Sequence, residues 1–67
     1  MMVMLFQEAH DYYTIKIRGV KVGTFRRNWE THDWLIRIHG DKFTTTYTDK
    51  QAALDYLELR FDDPSLR

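Results

Sequence analysis

Five cations, Lys16, Arg18, Lys21, Arg26 and Arg27, fall between Thr14 and Asn28 with no acidic residue among them. Arg37, Thr44 and Thr46 follow on segments that read as strands. Lysine and arginine at such a density supply phosphate contacts, and arginine on an extended segment can read guanine through two parallel hydrogen bonds. Threonine suits a phosphate oxygen or a thymine methyl. Phosphate contacts are assigned to Lys16, Arg18, Lys21 and Arg27, and base-edge contacts to Arg26 and Arg37. Acids gather instead toward the end of the chain, where Asp55, Glu58, Asp62 and Asp63 outnumber Arg60 and Arg67. Net charge is zero, so non-specific attraction to polyanions is not built into the whole molecule.

Catalytic chemistry finds little purchase. Ser65 stands in a polar tail, where nothing would hold a nucleophile against a base and an orienting group. Gly19, Gly23 and Gly40 occur singly, so no loop cradles phosphate. His10, His32 and His39 lack the helical spacing of a metalloprotease site, and Asp33 with Asp41 reads as loop acids flanking a strand. Metal binding through His32-Asp33 or His39-x-Asp41 would need three or four convergent ligands. There is no cysteine, which removes disulfides and thiolate zinc sites. No enzyme activity, metal or cofactor is expected.

The elements that must position these side chains are legible in the patterning. Tyr13, Ile15 and Ile17 share one face of a strand, with Tyr12, Thr14, Lys16 and Arg18 on the other. Arg18-Gly19 turns the chain into a strand from Val20 to Arg27. Val22 and Phe25 can share its core face only if a residue is inserted, and Gly23 is the natural place for that bulge. A polar loop carrying Trp29 leads to Trp34-Leu35-Ile36-Arg37-Ile38, where Trp34, Ile36 and Ile38 point inward. Gly40-Asp41 turns into a return strand over Lys42 to Thr48, with Phe43, Thr45 and Tyr47 on one face. Thr48-Asp49-Lys50-Gln51 reads as a capping box opening a helix to about Arg60, with Ala53, Leu54, Tyr56, Leu57 and Phe61 as its apolar stripe.

The expected fold class is α+β, an antiparallel meander of three or four strands with one C-terminal helix packed on one face. One small domain covers 1–67, divided into an apolar segment (1–11), the sheet (12–48), the helix (49–61) and a tail (62–67). The apolar opening Met1 to Phe6 is too short for a signal peptide or a membrane span and reads as a short strand or a strip against the core. A cytoplasmic location is expected.

The sheet face turned from the helix would carry Lys16, Arg18, Leu35, Arg37, His39, Thr44 and Thr46, joined by Thr24 and Arg26. A polar outer face is normal for an antiparallel sheet. Here it reads as basic without compensating acids, which favours a nucleic-acid interface. Tyr12, Trp29 and Leu35 are candidate interface positions, Trp29 suiting either a cap on the core or a stacking surface.

The series Trp34-Leu35-Ile36-Arg37-Ile38, Gly40, Thr46-Tyr47-Thr48 and Gln51-Ala52-Ala53 resembles the three-stranded-sheet-plus-helix DNA-binding domains of phage tyrosine integrases and plant ethylene-response transcription factors. The resemblance covers about the second half of the chain. It implies a sheet docked in the major groove of double-stranded DNA, with Arg26, Arg37, Thr44 and Thr46 as contacts. The extra N-terminal segment and the zero net charge depart from that pattern. The hairpin Gly19 to Phe25 is also similar to hairpins of small phage and prophage proteins whose roles are mostly unassigned. The competing reading is a protein-interaction module, an inhibitor or a homodimer, using the N-terminal run or an edge strand.

Overall fold

The computed structural model describes residues 3–62, in one five-stranded antiparallel sheet and one helix. The strands are β1 (Val3–Ala9), β2 (Tyr12–Ile17), β3 (Val20–Arg27), β4 (Trp34–Ile38) and β5 (Thr45–Tyr47), in spatial order β1-β2-β3-β4-β5, followed by α1 (Lys50–Phe61). The expected α+β meander with a C-terminal helix is borne out, with five strands instead of three or four. The apolar N-terminal segment is a full edge strand. Ser65 and the rest of the tail from 63 on lie outside the described residues, as do Met1 and Met2.

Chirality and the short loops dictate the meander. Arg18 and Gly19 both take positive φ, 52° and 78°, between the paired residues Ile17 and Val20. That is the two-residue turn whose twist matches paired strands, and glycine adopts it without a Cβ clash. The six-residue loop from Asn28 to Asp33 is organised by Asn28, whose Oδ1 accepts from the Glu30 and Thr31 backbone N–H groups at 2.9 and 3.4 Å. Such side-chain turns are why asparagine favours loops.

The core lies between the sheet and α1. Val3, Ile15, Phe25, Trp34, Ile36, Ile38, Ala53 and Leu57 are buried. Across the sheet this inner face runs Val3–Ile17, Leu5–Ile15–Gly23–Ile38 and Tyr13–Phe25–Ile36–Thr45, as period-two alternation requires. Aromatic rings tie the strands together: Tyr13 to Phe25 at 5.7 Å, Phe25 to Trp34 at 5.0 Å, and Tyr47 to Tyr56 of the helix at 5.7 Å. Pairs in this range add roughly 0.5–1.5 kcal/mol beyond the area they bury. Tyr12 faces away, as the alternation requires.

Gly23 sits between Ile15 and Ile38 on the inner face. A Cβ there would collide with the Arg37 carbonyl oxygen and press on Ile38 Cα and Cδ1, each 3.1 Å away. The irregularity in β3 lies beside it: Ile15 pairs with Gly23 but Lys16 pairs with Lys21, leaving Val22 as the inserted residue. The bulge is therefore one position before the glycine. Gly23 serves the close approach of β4 instead.

Three expectations for the last elements change. Only Thr45–Tyr47 of the expected return strand 42–48 pairs with β4. Phe43 is 79% exposed and faces no core, and Thr44 precedes the strand. The cause is a pinned loop: the Asp41 N–H donates to the Ile38 carbonyl at 3.1 Å, and Arg60 of the helix grips the Asp41 carboxylate. These hold residues 39–44 off the sheet edge. The capping box also fails. Asp49, in extended geometry, is the N-cap and accepts from the Ala52 N–H, while Gln51 donates to Asp55 one turn on. An aspartate at the N-cap serves the helix as well as a threonine would. At the other end Asp62, with φ 51°, closes the helix by donating its N–H to the Glu58 carbonyl.

Replacing Gly23 by alanine should destabilise the domain by about 1–3 kcal/mol, because backbone must move to admit the methyl group. Urea unfolding of the variant measures this, and an unchanged midpoint would show that β4 yields freely.

Candidate nucleic-acid interface

The sheet face opposite α1 is built by the same alternation that builds the core. Paired residues in an antiparallel ladder point to one side, so the register places the outer side chains in rows. One row runs Tyr12–Arg26–Leu35–Thr46, the next Phe6–Thr14–Thr24–Arg37, and the third Met4–Lys16–Lys21. Helix α1 packs against β4 and β5 from the inner side and leaves these rows uncovered. Met4, Phe6 and Tyr12 are 48%, 40% and 37% exposed there. The Lys16 ammonium lies 4.6 Å from the centre of the Phe6 ring, a cation–π contact.

Along β2 the face holds an open cavity of about 540 Å³, lined by Glu8, Tyr12, Thr14, Lys16, Gly19 and Lys21. Glu8 falls where the β1–β2 register shifts between Gln7 and Ala9. Its Oε1 accepts from the Thr14 hydroxyl at 3.1 Å, which leaves Thr14 only 6% exposed though it faces outward. The face is thus not free of acids, contrary to the sequence expectation. Glu8 enters it through the bulge, which period-two parity could not anticipate.

The expected contact residues divide. Lys16, Lys21, Arg26, Arg37 and Thr46 share the outer face, with Thr24 and Leu35 beside them. Arg18 lies in the β2–β3 turn, beyond the end of the strand to which it was assigned, and is exposed. Thr44 and His39 lie in the β4–β5 loop, off the strands whose faces they were expected to share, and both are exposed. Arg27 does not reach the face at all. It pairs with Trp34 on the inner side, at the end of the sheet that carries the β1–β2 turn. Its backbone N–H donates to the Asp11 carbonyl at 3.0 Å, its Nη1 lies 3.9 Å from the Asp11 carboxylate, and its Nη2 contacts His32 Nδ1 at 3.3 Å. Trp29 caps this end without entering the core: His10 stacks on it at 5.7 Å with planes 17° apart, and the Arg27 guanidinium lies 5.2 Å from its ring. The ring stays 55% exposed.

Sequence reasoning missed Met4, Phe6 and Glu8 as members of the face, and placed Thr14 on this side of β2 without counting it among the contacts. A signal for two of them was present. Reading Val3 to Phe6 as a strand puts Val3 and Leu5 on one side and Met4 and Phe6 on the other.

At the far end, Arg60 holds Asp41 through two bonds, 2.9 and 2.8 Å, and also donates to the Tyr56 hydroxyl at 2.9 Å. The Arg60 bonds hold the Asp41 carboxyl below its ordinary range, with Arg37 adding a smaller pull, while the pair raises the already high pKa of Arg60. This clamp fixes the loop that follows Arg37 and Ile38. No family model matches the chain, and neither the curated proteins nor the solved structures contain a match to it.

A carboxyl whose pKa is lower in the folded state stabilises the fold above its unfolded value and loses that contribution as pH falls through the folded value. Stability should therefore fall on acidification below the ordinary aspartate range, about pH 4. Exchanging Arg60 for methionine should remove the Asp41 share of that fall. Urea midpoints between neutral pH and strong acid compare the two proteins, and parallel curves would show that the clamp contributes nothing.

Proposed function

We propose that this chain is a small, non-enzymatic module that binds nucleic acid through the outer face of its sheet. One observation carries the reading: the cross-strand register assembles Lys16, Lys21, Arg26 and Arg37 on one surface with Thr24, Thr46 and exposed rings. These cations come from three strands and meet only in the folded sheet. Lys16, Lys21 and the neighbouring turn residue Arg18 take phosphates, which position the ligand without reading it. Arg26 and Arg37, both exposed and one row apart, are placed to reach base edges. No cofactor is needed for this chemistry. The resemblance to the sheet-plus-helix DNA-binding domains agrees in the use of a free sheet face opposite a helix. No helix among the described residues is long and apolar enough to cross a membrane, and the module is assigned to the cytoplasm.

A second reading is favoured by a specific feature of β1. This strand forms one edge of the sheet and exposes Met4 and Phe6, an arrangement open to pairing with another strand. A protein-interaction module, an inhibitor or a homodimer, would use this edge with Tyr12 and Leu35, and Trp29 at the sheet's end.

Exchanging Arg26 and Arg37 together for glutamate should abolish binding to a labelled oligonucleotide, while thermal unfolding stays close to that of the parent. Binding by the parent should weaken with salt, by a logarithmic slope of roughly 0.7–0.9 for each phosphate neutralised. An affinity unchanged by the double substitution would contradict the sheet-face reading, and association through β1 would then be tested by sedimentation.

A further inference from the structure

Resting on the sheet-face reading, we infer that the cavity along β2 takes an unpaired strand, with one base stacked on Tyr12 and its edge read by Glu8. The duplex suggested by the integrase resemblance suits this part of the face poorly. A duplex laid with its backbone along β1 would meet Met4, Phe6 and the Glu8 carboxylate, with Lys16 already engaged over the Phe6 ring. Apolar side chains and an acid are the wrong partners for phosphate. They are suitable partners for an exposed base, which offers a flat π-face to stack and N–H groups to an acceptor.

The cavity supplies each of these functions in order. Tyr12 lines it at one end of β2 and presents a ring with its neighbour Arg26 across the ladder. Glu8 follows, its carboxylate oriented by the Thr14 hydroxyl at 3.1 Å. Lys16 and Lys21 come next, directly paired across β2 and β3, with Gly19 beyond them. Like charges directly opposite each other on a sheet are destabilising. A phosphate lying between them would reverse the sign of that interaction. The volume, about 540 Å³, is within the range of small-ligand sites and suits a nucleotide unit.

The carboxylate also sets a preference. Guanine offers two adjacent donors, N1–H and the N2 amino group, to one carboxylate, whereas thymine and uracil offer a single N–H flanked by carbonyl oxygens that a carboxylate repels. The strand taken should therefore carry guanine at the Tyr12 position.

The test is fluorescence anisotropy at low salt with labelled 12-mers: a thymine strand, the same strand with guanine at alternate positions, and a hairpin duplex containing the guanine sequence. The guanine strand should bind at least tenfold more tightly than the hairpin. Tyr12→Leu, which keeps an apolar side chain and removes the π-face, should weaken it by roughly 5- to 100-fold, and Tyr12→Phe should retain it. Glu8→Gln should erase the preference for guanine over thymine, by weakening the guanine strand to the level of the thymine strand. A hairpin bound as tightly as the single strand, or indifference to Tyr12→Leu, overturns the inference and leaves the sheet-face reading standing. Absence of binding to all three probes overturns both.

Discussion

The arrangement depends on how closely β3 and β4 approach at Gly23. This residue occupies an inward position in the central strand, where the alternation calls for a side chain, and has none. Ile38 fills the space, and the Arg37 carbonyl lies where a Cβ would go. Just before it, the inserted Val22 shifts the register, so that Lys21 stands opposite Lys16 and Ile17 opposite Val20. Straightening the bulge, with Val22 paired in the ladder, would turn Lys21 to the inner face and Val22 to the outer one, since a one-residue slip exchanges the two faces of a strand. The packing of the core and the composition of the outer face are therefore set by the same few atoms.

The arginines show how the fold divides one residue type between tasks. Arg27 and Arg60 are committed to structure: the first ties the β1–β2 turn to the β3–β4 loop, and the second holds the β4–β5 loop to the end of the helix. Arg26 and Arg37 project from the centre of the sheet on its outer face. Adjacent in sequence, Arg26 and Arg27 point to opposite faces because strand side chains alternate. The clamp between Arg60 and Asp41 reaches the candidate interface only indirectly, by holding the loop that continues from β4.

Much of this fold was legible because strands with one buried face announce themselves. Tyr13, Ile15 and Ile17, then Trp34, Ile36 and Ile38, could be placed inward from spacing alone. The Arg18-Gly19 turn and the helix stripe followed equally directly. What escaped depended on contacts distant in sequence. Thr44-Thr45-Thr46 has strand propensity throughout, yet only Thr45–Tyr47 pairs, because Arg60 draws Asp41 away from the sheet. Arg27 looked like a free cation until Asp11 and His32 came beside it. Glu8 was hidden by a bulge, a local feature for which its neighbours give no composition signal. Lys16, Arg26, Arg37 and Thr46 were grouped from parity alone and share one face, whereas Lys21, assigned to phosphate for its charge, joins them through the bulge at Val22.

The central claim, that the outer sheet face is the binding surface, is tested most directly by amide chemical-shift mapping of the labelled protein with a short oligonucleotide at low and then moderate salt. Shifts should concentrate on Tyr12, Thr14, Lys16, Thr24, Arg26 and Arg37 and fade as salt rises, while α1 amides stay still. A spectrum unchanged at low salt, or shifts confined to α1 and the Asn28–Asp33 loop, would contradict it.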